Sequence, residues 1–299
     1  MIIPLERNKT NLRVGPAAVP TTSIKSFYEM IDQCQTRQFT ALELEFVRIT
    51  SIEYPTPAIM KELAIYANER NVSLSIHGSL YINLAAIEDS KIELTKEHIR
   101  QGFRAATDAS ANLIFHAGYF QNLLHYEAIK KAVTLLNSLN LPDTSKVFLE
   151  TPGKLNSIGD ISELLKIAAQ TGVQIAIDWG HFFARKVGKD LRTAQDVRRL
   201  LSTIEDAINQ TYFHMHISGI EYTKKGEKQH LAFSNSDFPL EVVIEGLKEV
   251  GYSGTLICES PNRWKEDTEL LMQLLRGEKV EFSRKKRITL FDYLKDPKK

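Results

Sequence analysis

Short aliphatic and β-branched runs alternate with longer amphipathic stretches along most of this chain. Eight runs read as strands: NLRVG (11–15), ALELEFV (41–47), VSLSIH (72–77), NLIFH (112–116), KVFLE (146–150), VQIAID (173–178), TYFHMH (211–216) and GTLICE (254–259). Several are almost continuously apolar, the pattern of strands buried on both faces. The stretches between them carry helix signals. Thr56 followed by Pro57 reads as an N-cap with proline at the first helical position, opening a helix that runs to about Arg70. Asp160 and Glu163 form a capping box ahead of Leu164, Leu165 and Ile167, and Gly172 closes that helix. A further helix is predicted to start at Asp237, with Val242, Val243 and Leu247 on one face and Gly251 just past its end; the last runs from about Asp267 to Gly277. Eight strand–helix units at this spacing predict a parallel α/β architecture closed into a single (β/α)8 TIM barrel over residues 1–277. An open doubly wound sheet is the competing arrangement, and no glycine-rich turn follows the first run to favour its dinucleotide-binding form. From about Glu278 the rhythm breaks. Residues 278–299 read as a basic tail carrying Arg284, Lys285, Lys286 and Arg287.

Composition narrows the setting without choosing the chemistry. The 299 residues are 43% hydrophobic and 25% charged, ordinary for a globular protein, with a formal net charge of +1. Net charge does not advertise a polyanionic partner, so any contact with nucleic acid would rest on a local basic face. Two cysteines, Cys34 and Cys258, are too few for a disulfide framework or a cysteine metal cluster and fit a reduced intracellular compartment. Glu6, Arg7 and Lys9 interrupt the N-terminus where a signal peptide would be apolar, and no window reaches a membrane-spanning length. A soluble cytoplasmic protein is expected.

The candidate chemistry lies at the strand ends. His77 ends the third run, His116 the fourth, Glu150 the fifth, Asp178 the sixth, His216 the seventh and Glu259 the eighth. Each alone has a bland reading, as a hydrogen-bonded histidine or a solvated loop-edge carboxylate. In a (β/α)8 barrel, however, the C-terminal strand ends converge on one mouth, where catalytic groups gather. His181, three residues after Asp178, and His230, in the loop predicted after the seventh strand, belong to the same set. His98 and His125 fall in predicted helices. His214 is assigned to the strand face opposite His216 and to a structural role. Mixed histidine and carboxylate ligands suit Zn²⁺, Mn²⁺ or Fe²⁺ in open catalytic sites. Eight candidates exceed what one ion can use, so two or three ions are expected. A shared carboxylate would then support phosphodiester hydrolysis by in-line displacement.

The segments SIHGSLYINLA (75–85), LIFHAGYF (113–120), LETPGKLNSIGD (149–160), IAIDWGHFFAR (175–185) and LICESP (256–261) resemble the signature segments of the endonuclease IV family, in that family's order and across nearly the whole barrel. The resemblance implies an abasic-site endonuclease that cuts duplex DNA on the 5′ side of the lesion with a metal-bound hydroxide. It implies zinc, two or three ions, with manganese at one site in some members. His77, His116 and Glu150 would hold one ion; Glu150, Asp178, His216 and Glu259 a second; His181 and His230 would help to hold a third. Glu150, Asp178 and Glu259 would be the catalytic carboxylates. The family bends the duplex and flips the damaged nucleotide out. Leu80 and Tyr81 stand where it inserts a wedge, in reversed order, and Arg48 is a candidate DNA contact. Where the family has an aspartate two residues before the last loop histidine, this chain has Lys228, with Glu227 beside it as a substitute ligand. HISG (216–219) also replaces a more polar segment.

In the tail, RITLFDYL (287–294) resembles the sliding-clamp-binding peptide of archaeal replication and repair proteins, with Leu290, Tyr293 and Leu294 as the anchoring positions and Arg287 in place of the usual glutamine. Packing of this segment on its own barrel is the alternative. Two other functions compete with the endonuclease. A single-metal sugar isomerase or epimerase of the xylose-isomerase-like group would need Glu150, Asp178, His216 and Glu259 but not the remaining histidines. A non-catalytic DNA-damage-binding barrel would have lost metal chemistry, for which Lys228 is the one hint.

Overall fold

The computed structural model describes residues 11–18, 25–47 and 54–281. Its strands are β1 (Asn11–Ala18), β2 (Ala41–Glu45), β3 (Ser73–His77), β4 (Asn112–His116), β5 (Val147–Glu150), β6 (Gln174–Asp178), β7 (Tyr212–Ile217), β8 (Gly219–Thr223), β9 (Gly226–Leu231) and β10 (Ser253–Cys258). Strands β1 to β7 and β10 close into a parallel barrel in chain order, with β10 returning to β1. All eight predicted strands are present, with ends within three residues of expectation. Around the barrel lie α1 (Lys25–Thr36), α2 (Pro57–Glu69), α3 (Asp89–Asp108), α4 (His125–Ser138), α5 (Ile161–Thr171), α6 (Trp179–Arg185), α7 (Ala194–Ile208), α8 (Leu240–Val250) and α9 (Trp264–Leu275). No helix among the described residues is long and apolar enough to cross a membrane.

The local signals act as read. Thr56 caps α2, accepting from the Ile59 amide, and Asp160 with Glu163 forms the reciprocal box at α5, which Gly172 ends in the left-handed conformation (φ 76°). Helix α8 begins three residues later than predicted, at Leu240 after Pro239. Gly15 on β1 is required by close approach: a Cβ there would fall 1.7 Å from the Ala41 carbonyl oxygen of β2.

Most of the core lies between barrel and helices, where Phe27, Ile31, Leu63, Ile99, Leu136, Ile167, Leu201, Val243 and Leu271 are buried. The barrel interior is a separate, smaller packing problem. Ile114, Phe148 and Ala176 form an apolar cluster of their own. Beside them lies polar material, Glu43, Ser75 and His214, all buried and hydrogen-bonded to one another through Glu43. A barrel of this size is filled by side chains, and here part of the filling is charged.

The segment after β7 departs from the predicted loop. It is an antiparallel hairpin, β8–β9, in which Glu221 pairs with Gln229 and Tyr222 with Glu227. Lys228 is therefore an extra residue, a β-bulge. In a regular strand Glu227 and His230, three apart, would face opposite sides; the bulge takes up Lys228 and puts them on one side.

Candidate metal centre

The strand-end residues meet at one end of the barrel. Register places them side by side: His116 pairs with Glu150 across β4–β5 and Asp178 with His216 across β6–β7. Glu150 is the hub. Its Oε2 lies 2.8 Å from His77 Nε2 and 3.5 Å from His116 Nε2, and its Oε1 lies 3.2 Å from His181 Nδ1 and 3.3 Å from His216 Nδ1. Glu259 Oε1 is 3.4 Å from His216 Nδ1, and its Oε2 is 3.5 Å from His230 Nδ1. Three overlapping clusters result, His77–Glu150–His216, His116–Glu150–His181 and Glu150–Asp178–His216–Glu259, with a fourth at Asp178–His181–His230. All eight sequence-predicted ligands are thus brought together. Six of them, all but Asp178 and His216, line a cavity of about 320 Å³ whose wall also includes Leu80, Tyr119 and Lys154.

Local structure aims each group. Asp178 ends β6 and caps α6: its Oδ1 accepts from the His181 amide at 2.8 Å, so the DWGH spacing is that of an N-cap and the first turn after it. Its Oδ2 is left buried without a hydrogen bond. His77 Nδ1–H donates to the Gly78 carbonyl (2.9 Å), and His181 Nδ1–H donates to the Thr151 carbonyl (3.1 Å). A carbonyl can only accept, so both rings keep Nε2 for another partner. For His181 that partner direction holds His230 Nε2, 2.8 Å away.

Glu227 joins the set and Lys228 leaves it. Glu227 Oε2 is 3.5 Å from His181 Nε2, whereas Lys228 points outward, pairing with Glu221 at 2.7 Å on the exposed side of the hairpin. The hairpin is seated on the β5–α5 loop, where the Glu227 amide donates to the Gly153 carbonyl at 3.0 Å. Gly153 is needed there because a Cβ would lie 2.4 Å from Glu227 Cβ and 3.0 Å from His181 Cδ2. Buried Arg185 pins the same loop through the carbonyls of Lys154 and Ser157. His230, predicted in a loop, is in β9.

One reading is corrected. His214 does not face away from His216: residues two apart share a strand face, and their Nε2 atoms are 3.3 Å apart. Both converge on Glu43, at 2.8 Å each. Glu43 and Glu45 were legible as carboxylates alternating within ALELE, a strand otherwise apolar, and were not singled out. Glu45 lines the cavity. His98 and His125 lie in α3 and α4 as expected, outside the centre; His125 pairs with Glu163 at 2.6 Å. Arg48, Leu290, Tyr293 and Leu294 lie outside the described residues.

The electrostatics divide the histidines. Burial pushes His77 down, but the hydrogen bond and charge of Glu150 outweigh it and bring the ring to about 9. Burial is likewise overcome at His181, chiefly by Asp178 and Glu150, and at His216, chiefly by Glu43 and Glu259; both stand well above the usual value. Burial wins at His116, which falls to about 4, and at His230, which is lowered. Glu150 is held well below the carboxylate range against its burial by His116 and His216, and burial raises Glu259 well above it. Carboxylates thus outweigh burial at three of these rings, and the mouth favours positive charge.

The donor set fits divalent metal. Buried His216 Nδ1 and Asp178 Oδ2 have no hydrogen-bond partner, although Glu150 and Glu259 stand 3.3 and 3.4 Å from the first and His181 Nδ1 stands 3.2 Å from the second. Atoms that approach without aligning on one another are arranged about shared points between them. Histidine nitrogens and carboxylate oxygens without thiolate match Zn²⁺ or Mn²⁺.

The family described as xylose isomerase-like TIM barrel matches residues 31–277. A relative, an uncharacterized protein of Methanocaldococcus jannaschii, is 33% identical over 271 residues, covering 87% of this chain and 95% of its own. Among solved structures, endonuclease IV from Thermus thermophilus superposes with a TM-score of 0.65 at 15% identity, covering 89% of this chain and 98% of its own. D-psicose 3-epimerase from Clostridium cellulolyticum superposes with a TM-score of 0.62 at 10% identity, covering 89% and 99%. At these identities the two structures share the fold.

Proposed function

Because the chain belongs to the xylose isomerase-like TIM barrel family, we propose that its barrel mouth is the active site of a metal-dependent DNA phosphodiesterase that cuts the backbone 5′ to abasic sites. The observation that carries this reading is the surplus of ligands. Glu150, Asp178, His216 and Glu259 suffice for one ion, yet His77, His116, His181, His230 and Glu227 converge on the same place. A single-metal isomerase has no use for them, whereas phosphoryl transfer uses adjacent ions to stabilise attacking and leaving oxygens.

His77, His116 and Glu150 would hold one ion, Glu150, Asp178, His216 and Glu259 another, and His181, His230 and Glu227 a third, with zinc the expected metal. The ions would supply Lewis-acid activation of the phosphodiester and of water. The chain's own groups do the rest. Glu150 is kept anionic by the rings around it and can bridge two positions. Glu259 stands between His216 Nδ1 and His230 Nδ1, at 3.4 and 3.5 Å, and would close the second ligand set as a carboxylate. Lys154, on the cavity wall, offers a cation to the DNA backbone. Leu80 and Tyr81, about half exposed at the rim, offer apolar surface to a helix lacking a stacked base. The tail segment with Leu290, Tyr293 and Leu294 would tether the enzyme to a sliding clamp.

The test is incision of a duplex oligonucleotide carrying one abasic-site analogue, before and after chelation, alongside metal quantification. Chelator-sensitive cleavage 5′ to the lesion with two or three ions per chain supports the reading. The epimerase-like fold favours a second reading, a sugar isomerase or epimerase, which predicts no cleavage and one ion.

A further inference from the structure

Glu43 is a carboxylate fully buried inside the barrel, two residues before the end of β2. An uncompensated charge there would cost several kcal/mol, so its surroundings have to answer it. Ser75 Oγ–H donates to Oε2 at 2.8 Å, His214 Nε2 lies 2.8 Å from Oε2, and His216 Nε2 lies 2.8 Å from Oε1. His214 is hydrogen-bonded to Oε2, whereas His216 stands against Oε1 as a close ion pair that is not aligned as a hydrogen bond. A carboxylate oxygen that close to an imidazole nitrogen repels its lone pair and favours a proton there, so Nε2 is the protonated nitrogen of each ring. In neutral His216 the lone pair is then on Nδ1, which faces Glu150 Oε1 at 3.3 Å and Glu259 Oε1 at 3.4 Å.

We propose that Glu43 is a positioning residue that fixes the tautomer of His216 and so dedicates Nδ1 to the divalent ion held with Glu150, Asp178 and Glu259. It touches neither the ion nor the substrate. It works by placing a fixed negative charge 2.8 Å from Nε2, which favours the proton on that nitrogen and raises the basicity of the ligating one. His214 and Ser75 complete the device. By occupying Oε2 they leave Oε1 to His216, and His214 packs against Phe148 with ring centroids 6.0 Å apart, which holds the group rigid. A cation among Glu43, His214 and His216, whose ligand atoms lie within 4.8 Å of one another, would displace the protons that Oε2 already accepts. The inference rests on metal binding at the mouth and not on the DNA substrate.

The test uses the full chain, metal-stripped and then zinc-loaded, with long-range ¹H–¹⁵N correlation of the histidine rings. In zinc-loaded wild type, His216 is expected to keep its Nε2 proton while Nδ1 shifts on zinc binding. In parallel, zinc affinity is measured by competition with a chromophoric chelator. Glu43→Gln should weaken the tightest zinc site roughly 10- to 100-fold, while Ser75→Ala, which leaves Oε1 untouched, should change it by less than about threefold. Zinc on His216 Nε2, or wild-type affinity in a folded Glu43→Gln, overturns the proposal. The wild-type spectrum decides the matter even if that variant does not fold. No zinc binding by wild type overturns the metal reading along with it, whereas zinc bound through the wrong nitrogen overturns the positioning role alone.

Discussion

His181 Nε2 and His230 Nε2 face each other across 2.8 Å, with Glu227 Oε2 3.5 Å from the former. Because Nδ1 of His181 is committed to the Thr151 carbonyl, only a proton or a metal ion can lie between the two rings. Zinc quantification should return at least two ions per chain, and chelation should lower the melting temperature. At a free-ion concentration about 100 times Kd, one site adds about 2.7 kcal/mol, worth roughly 5 °C in a protein of this size. Melting unchanged by zinc, with no ion retained, would remove the metal centre.

His77 sets the direction of pH dependence. Its folded value of about 9 lies above the unfolded value of about 6.5. In the metal-free protein the protonated ring therefore stabilises the fold fully below about pH 6.5, and that contribution is lost as pH rises through 9. His181 and His216 act in the same direction. His116, at about 4, works the other way and destabilises the fold as pH falls from about 6.5 to 4. Metal-free protein should melt highest near pH 6–7 and lower toward pH 9, and loading with zinc should abolish the alkaline loss. Zinc binding near neutral pH should release protons, read by calorimetry in buffers of different ionisation enthalpy; no release would contradict the protonated ground state.

Gly153 separates the hairpin's contribution from the rest. A methyl group there meets Glu227 Cβ at 2.4 Å and His181 Cδ2 at 3.0 Å, so Gly153→Ala has to push β8–β9 outward. Overpacking of this kind costs about 1–3 kcal/mol. Incision should fall at least tenfold and one ion should be lost, while the Glu150–Asp178–His216–Glu259 site persists. Full stoichiometry in this variant would mean that the hairpin does not deliver a ligand.

Lys228 and its neighbour Glu227 predict a contrast between two substitutions in β9. Its pairing with Glu221 is exposed, and such pairs contribute about 0–1 kcal/mol. Lys228→Ala should leave incision within about twofold of wild type. Glu227→Ala removes the carboxylate 3.5 Å from His181 Nε2 and should lower incision at least tenfold with the loss of one ion. Equal behaviour of the two variants would show that Glu227 holds no metal.

The sequence was most legible where periodicity and strand position coincide. His77, His116, Glu150 and Asp178 stand at the ends of β-branched or aliphatic runs, and a barrel brings such ends together whatever its loops do. Glu43 was illegible for the opposite reason: it lies mid-strand, where a charge normally argues against burial, and its partners Ser75 and His214 come from strands 32 and 171 residues away. The face of His214 followed from strand period alone and was misassigned. The hairpin carrying His230 was hidden because β9 is polar and offers no apolar run, and the bulge that aligns Glu227 depends on pairing rather than composition.

Tyr81 gives the sharpest separation between the two functional readings. It stands about half exposed at the rim beside Leu80, its ring stacked over buried His98 with centroids 6.4 Å apart, so it is a surface aromatic on a rigid support. A base or an unpaired gap in a duplex can stack on such a ring for about 1–3 kcal/mol. Tyr81→Ala should therefore weaken binding to abasic duplex roughly 5- to 150-fold, with kcat at saturating DNA much less affected and metal content unchanged. A sugar small enough to sit on the ions has little need of an aromatic half open to solvent, so an isomerase should tolerate the same change. The two effects are measured on one preparation, by DNA-binding anisotropy and by turnover. Undiminished DNA affinity in Tyr81→Ala and in Leu80→Ala alike would take the duplex off this rim and return the barrel to the small-molecule members of its family.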